Sequence, residues 1–146
     1  EDENISFLYP SQYDWYTADS LAVAKSKELC EGLTTDSEKV AAIAGYITRN
    51  ILYDFFFAMK VSTGYLPDVD ATLTTGKGIC FDYAALFACM LRVQDIPCRL
   101  VIGDAGKNYH AWNNVLLDGQ WRFYDLTYES TGAKIVESQY AVERFY

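Results

Sequence analysis

A chain of 146 residues, 51% apolar and 22% charged, can bury one substantial core; it is too apolar for a disordered tail and too poor in glycine and proline for a linker or a fibre. A formal net charge of -8 at pH 7 and a pI near 4.5 deny it the basic surface that general nucleic-acid binding requires. Its longest apolar run, from Ile79 to Leu91, is broken by Asp82 and falls short of the roughly 18 residues that span a bilayer, so no transmembrane helix is expected. The chain starts at Glu1 rather than Met, which reads as a processed or trimmed product whose targeting segment has gone. With the acidity and the lack of basic tracts, this points to an extracytoplasmic, bacterial, secreted protein.

Cys30, Cys80, Cys89 and Cys98 form no CxxC pair, and His110 is the sole histidine, which argues against a zinc site. No metal and no cofactor are called for. A disulfide scaffold is not needed at this size, although spacing alone leaves one disulfide open. Residues 1 to 40 hold nine acids against three lysines, as a solvated helical face would.

In chain order, residues 1 to 18 are aromatic and polar without a period and read as a lead-in arm to a single domain covering 1 to 146. Asp19 or Ser20 can cap a helix running to about Leu33, with Leu21, Ala24 and Leu29 inward. Thr35 and Glu38 have capping-box spacing, and Val40, Ile43, Ala44, Ile47 and Ile51 follow at helical intervals. From Ser62 to Gly78 the period is lost and Gly, Pro, Asp and Thr accumulate, marking a long loop with Asp68 and Asp70 solvated in it. That loop lacks the glycine and terminal glutamate of a calcium-binding helix-loop-helix. From Ile79 to about Gln94 a broad apolar stripe demands a largely buried helix, which Pro97 cannot continue. Three strands follow, at Cys98–Gly103, His110–Leu117 and Gln120–Tyr128, the last two joined by Asp118-Gly119, a type I′ hairpin signal. Helices first and an antiparallel sheet afterwards make the class α+β, one sheet covered on one face by helices.

Cys80 falls at a helix start, where free backbone N–H groups and the positive end of the helix dipole stabilise a thiolate nucleophile. Cys89, nine residues on at about 100° per residue, lies on the opposite face of the helix. Cys30 and Cys98 read as small buried residues. In the hairpin, Leu117 pairs with Gln120, and counting back along the ladder puts Trp112 opposite Asp125 and His110 opposite Thr127. Asp125 then lies diagonally beside His110 on one face, roughly 7 to 8 Å away at the backbone, a gap that imidazole and carboxylate can close. A carboxylate there would set the tautomer and orientation of the imidazole. Trp112 shares that face, either shielding the His-Asp bond or simply filling core. Trp121 and Phe123 lie further along it as core residues.

The blocks GKGICFDYAALFACMLR, IPCRLVIG and HAWNNVLLDGQWRFYDLTY resemble the core of the transglutaminase-like superfamily of papain-related cysteine enzymes, in its order and at its approximate spacings. The resemblance spans residues 76 to 128. It implies a papain-like core in which N-terminal helices and a central nucleophile helix pack on an antiparallel sheet. It also implies that Cys80 is the nucleophile, His110 the base and Asp125 the residue that orients it. Asn114, where many relatives carry an acid, and Leu126, where they carry proline or valine, leave the three untouched. The Cys80 backbone N–H would be one oxyanion donor; Tyr53 is a candidate for the second, with packing at the end of a helix as its alternative. Tyr83, one turn after Cys80, could line a peptide groove. The expected function is a peptidase or amidase acting on a protein or peptide substrate through a thioacyl intermediate. Hydrolysis is favoured because the small chain lacks room for the accessory domains of crosslinking enzymes. The alternatives are a protein-glutamine transglutaminase that passes the acyl group to an amine, and a non-catalytic peptide-binding module on the same fold.

Overall fold

A computed structural model of the protein describes residues 3–132 and 136–146. A 3-10 turn (Ile5–Leu8) precedes helices α1 (Leu21–Cys30) and α2 (Asp36–Asn50). Next come β1 (Leu52–Tyr53), α3 (Phe55–Lys60), α4 (Val69–Thr75), β2 (Lys77–Gly78) and α5 (Cys80–Arg92). Then follow β3 (Cys98–Ala105), β4 (Asn108–Leu117), β5 (Gln120–Tyr124), α6 (Leu126–Thr131), a second 3-10 turn (Glu137–Gln139) and β6 (Tyr140–Phe145). The main sheet is antiparallel throughout, in the order β5-β4-β3-β6, and β1 pairs with β2 as a small parallel ladder. The architecture is the expected mixture of helices and antiparallel sheet.

Helix α5 is the centre of the molecule. Every residue from Asp82 to Arg92 is buried, because α1, α2 and α4 pack on it and so do β3 and β4. Leu86, Phe87, Met90 and Leu91 have no exposed surface at all, each stabilising the fold by about 1.5–3 kcal/mol. Helix α2 follows its sequence pattern: the Thr35 hydroxyl accepts from the Glu38 N–H at 3.2 Å, and Val40, Ile43, Ala44 and Ile47 are buried. The β4–β5 hairpin has the expected register, with Leu117 facing Gln120 and Asn113 facing Tyr124. Asp118 (φ 51°) and Gly119 (φ 76°) supply the two positive φ values of a type I′ turn.

The structure corrects several sequence expectations. Helix α1 turns Ala22, Val23, Ser26 and Cys30 inward, while Leu21 is 54% exposed and Ala24 faces solvent. Small residues are chosen there because α1 lies close on α5, near enough for the Ser26 hydroxyl to donate to the Met90 carbonyl at 2.6 Å. The stretch from Ser62 to Gly78 is not all loop. Asp68 accepts from the N–H groups of Asp70 and Ala71 and so starts α4, and Asp70 accepts from the Ala22 N–H at 3.0 Å. Neither carboxylate is merely solvated. The third predicted strand ends at Tyr124, because Asp125 caps α6 instead of continuing the ladder. The lead-in is more than an arm over its described residues 3–18: Asp14 is fully buried against Arg92, and the Phe7 ring meets those of Trp121 and Phe145. All four cysteines are free thiols.

Candidate active site

Three elements meet at one end of α5. The parallel pairing of β1 with β2 sets Tyr53 beside Gly78, two residues before Cys80. Gly78 is required by close approach, since a Cβ there would stand 2.6 Å from the Cβ of Asp82. That closeness lets Asp82 fold back over the helix start, where its Oδ2 accepts from the Ile79 N–H at 2.9 Å. The other oxygen of Asp82 accepts from the Tyr65 hydroxyl, which ties the α3–α4 loop to α5. Cys80 is therefore the first residue of a helix whose start is braced, and it is partly exposed while Cys30, Cys89 and Cys98 are buried.

His110 comes from β4 and Asp125 from the end of β5, and the hairpin brings them together. Their Nε2 and Oδ2 atoms are 2.6 Å apart, with both side chains buried. Asp125 reaches the imidazole from a capping position rather than from a strand; its Oδ1 accepts from the Tyr128 N–H at 3.4 Å. Cys80 is the other ionisable group that acts on the imidazole. Burial opposes a charge on His110 and is the largest single influence, but Asp125 and Cys80 together outweigh it. The pKa is raised from 6.5 to about 9. The balance favours the imidazolium over the neutral ring at neutral pH.

Cys80 and His110 open onto a groove of about 440 Å3. Residues 61–66 of the α3–α4 loop line it, together with Phe81, Ile102, Tyr109 and Arg144. The groove is apolar for most of its length. Cys80 is among the residues that line it.

The remaining sequence candidates fall in different places. The Tyr53 ring lies within the electrostatic reach of Cys80, and burial together with that neighbour pushes its phenol up to about 12. It stays protonated and able to donate. Trp112 is buried, with its ring stacked 6.2 Å from that of His110 at 24°. Tyr83 departs from expectation: it is 1% exposed, its hydroxyl donates to the Ile51 carbonyl at 2.6 Å, and it is a core residue rather than part of a groove wall. The reason is helical geometry, since a residue one turn into a helix covered on all sides points into the core. Tyr140 joins the site from the C-terminal strand β6. Its hydroxyl donates to Asp125 Oδ2 at 2.7 Å, and no local pattern in a weakly patterned tail signals that contact. No group of three or more His, Cys, Asp or Glu side chains suited to a metal occurs among the described residues. No helix among them is long and apolar enough to cross a membrane.

An α+β core with a cysteine at the start of its central helix, and a histidine and aspartate on the adjoining sheet, is the arrangement of papain-related enzymes. Residues 23–126 match the family described as the Transglutaminase-like superfamily, and the chain belongs to it. It is similar to the human protein called Kyphoscoliosis peptidase, 31% identical over 145 residues, covering 91% of this chain and 21% of that protein. The mouse protein of the same name is 33% identical over 115 residues, covering 70% of this chain and 17% of its own length. The chain therefore spans about a fifth of the length of these curated relatives. Among solved structures, a candidate cysteine protease from Cytophaga hutchinsonii matches with a TM-score of 0.79 at 23% identity, over 100% of this chain and 47% of that one. The periplasmic domain of TgpA from Pseudomonas aeruginosa matches at 0.68 and 21% identity, over 88% of this chain and 48% of that one. At such identities these likenesses speak for the fold.

Proposed function

We propose that the protein is a cysteine peptidase or amidase in which Cys80 is the nucleophile, His110 the acid and base, and Asp125 the residue that orients His110. The observation that carries this reading is the His110–Asp125 bond of 2.6 Å, on an imidazole that lines the same groove as Cys80. The curated relatives named as peptidases support hydrolysis over transfer to an amine.

The chemistry follows from the charges. With the Cys80 proton held on His110 as imidazolium, the thiolate sulfur attacks a substrate amide carbon; a C–S bond forms and the carbonyl electrons move to oxygen. The Cys80 backbone N–H at the helix start and the Tyr53 hydroxyl are the donors for that oxyanion. As the oxyanion collapses the C–N bond breaks, and the proton on His110 passes to the departing amine. Neutral His110 then takes a proton from water, whose oxygen attacks the thioester carbon, and the carboxylic acid leaves as the C–S bond breaks. Throughout, Asp125 holds Nε2–H and so turns Nδ1 toward the sulfur.

The test compares amide hydrolysis by the parent, Cys80→Ala and Asp125→Asn, with thermal melts alongside. Cys80→Ala is expected to abolish turnover. Asp125→Asn is expected to lower kcat by about 10²-fold or more while the fold survives, because an amide can hold the wrong tautomer and cannot stabilise imidazolium. Equal turnover in the parent and Cys80→Ala would rule out covalent catalysis at Cys80. The same assay with added amines separates hydrolysis from acyl transfer.

A further inference from the structure

We propose that Tyr140 is a positioning residue of this site, whose hydroxyl fixes the Asp125 carboxylate and moderates its hold on the imidazole. Three observations lead there. Asp125 Oδ2 accepts from His110 Nε2 at 2.6 Å and from the Tyr140 hydroxyl at 2.7 Å, while among the described residues Oδ1 has the longer 3.4 Å bond to the Tyr128 N–H. The Tyr140 ring is itself braced edge-on, 4.8 Å from Trp112 at 86° and 4.7 Å from Phe123 at 82°. Finally, Tyr140 opens β6, where it pairs with Ala105 of β3, so the sheet sets the height from which the hydroxyl reaches in.

A phenol donating to a carboxylate draws part of its negative charge away from the imidazolium, and it removes one way for the carboxylate to rotate. Burial and the carboxylate both push the Tyr140 phenol up, so it remains a donor over the whole working pH range. The titratable groups facing His110 are Cys80 from α5, Asp125 and Tyr128 at α6, and Tyr140 from β6. Glu129 faces Asp125 from α6, and Trp112 and Phe123 add no charge. Among them, Tyr140 is the neutral side chain bonded to the orienting carboxylate itself. This role gives Trp112 a purpose as well, since its ring holds Tyr140 on one side and lies stacked on His110 on the other.

The kinetic part of the inference rests on the peptidase reading above; the electrostatic part does not. His110 is the sole histidine of the chain, so its imidazole proton resonances report this site directly in an NMR titration, with no substrate. Tyr140→Phe keeps every ring contact and removes one oxygen. The expected result is a His110 midpoint raised by about half a pH unit or more, as undiluted carboxylate charge favours imidazolium. In the same variant kcat should fall roughly tenfold with KM unchanged, equivalent to about 1.4 kcal/mol of transition-state stabilisation. The thermal melt should stay close to the parent's. A His110 midpoint that stays in place or moves down overturns the inference, whatever the rate does. A parent without amide turnover overturns the peptidase reading, and the titration still decides the role of Tyr140.

Discussion

At His110 two opposed effects act on one ring: burial resists the charge, and Asp125 with Cys80 overcomes it. A folded-state pKa near 9 against 6.5 for the free side chain means that protonated His110 stabilises the folded protein. That contribution is fully present below about pH 6.5 and is lost as the pH rises through 9, amounting to at most about 3 kcal/mol. The thermal midpoint of the parent should therefore exceed that of His110→Gln by a margin that shrinks between pH 6.5 and 9. A margin constant across that range would contradict the assignment. The cysteines sort just as sharply. Burial pushes the thiols of Cys30, Cys89 and Cys98 up, that of Cys98 to about 12; Cys89 and Cys98 have no exposed surface, and Cys30 keeps 5%. Iodoacetamide at pH 6 followed by peptide mapping should find label on Cys80, and preferential label on any of the other three would remove it as the nucleophile.

The start of α5 depends on Asp82, whose two oxygens serve the Ile79 N–H and the Tyr65 hydroxyl. Asp82→Ala leaves a buried N–H without its acceptor and releases the loop that lines the groove. It should lower stability by about 1–3 kcal/mol in urea unfolding. Tyr65→Phe, which keeps the Ile79 bond, should cost less. Equal losses in the two variants would mean that the loop tether rather than the helix start is what Asp82 supports. The α6 start uses the same device with a different outcome. There the capping carboxylate is Asp125, so the residue that begins a helix is also the one that holds His110. Asp125 variants accordingly combine the loss of a cap with a change at the site, and their melts have to be measured beside their rates.

Across the whole molecule, Arg92 gathers segments far apart in the chain. Its guanidinium donates to the Cys98, Tyr9 and Tyr146 carbonyls and to Asp14, with both charged side chains fully buried. Burial raises the Asp14 carboxyl to about pH 7 despite the attraction of Arg92, and one of its oxygens has no partner. The carboxylate is thus the lesser member of the pair. Arg92→Met strands three carbonyls and a buried acid and should cost about 3–5 kcal/mol. Asp14→Asn should cost clearly less, because the carbonyl bonds survive. Urea unfolding of both variants, with limited proteolysis of residues 5–18, checks the order. Comparable losses, or an arm equally resistant to cleavage in Arg92→Met, would show that Arg92 does not hold the two termini in place.

Neighbours along the chain decide everything that could be read from the residues alone. Thr35 with Glu38 started α2, the apolar stripe after Ile79 required a buried helix, and Asp118-Gly119 set a register from which His110 and Asp125 could be placed side by side. Each of these signals acts within a few residues or through one tight turn, where backbone geometry leaves few choices. The family resemblance added the role of Cys80. Packing between distant segments settles the rest. The inward face of α1 follows from its closeness to α5, and the burial of Tyr83 from the packing of that helix on all sides. The turn from strand to helix at Asp125 follows from the burial of Leu126 and Thr127. The Asp14–Arg92 pair spans 78 residues, and the Tyr140–Asp125 bond exists because β6 pairs with β3. Such contacts are set by the packing of separate elements, so they leave no periodicity in the sequence to read.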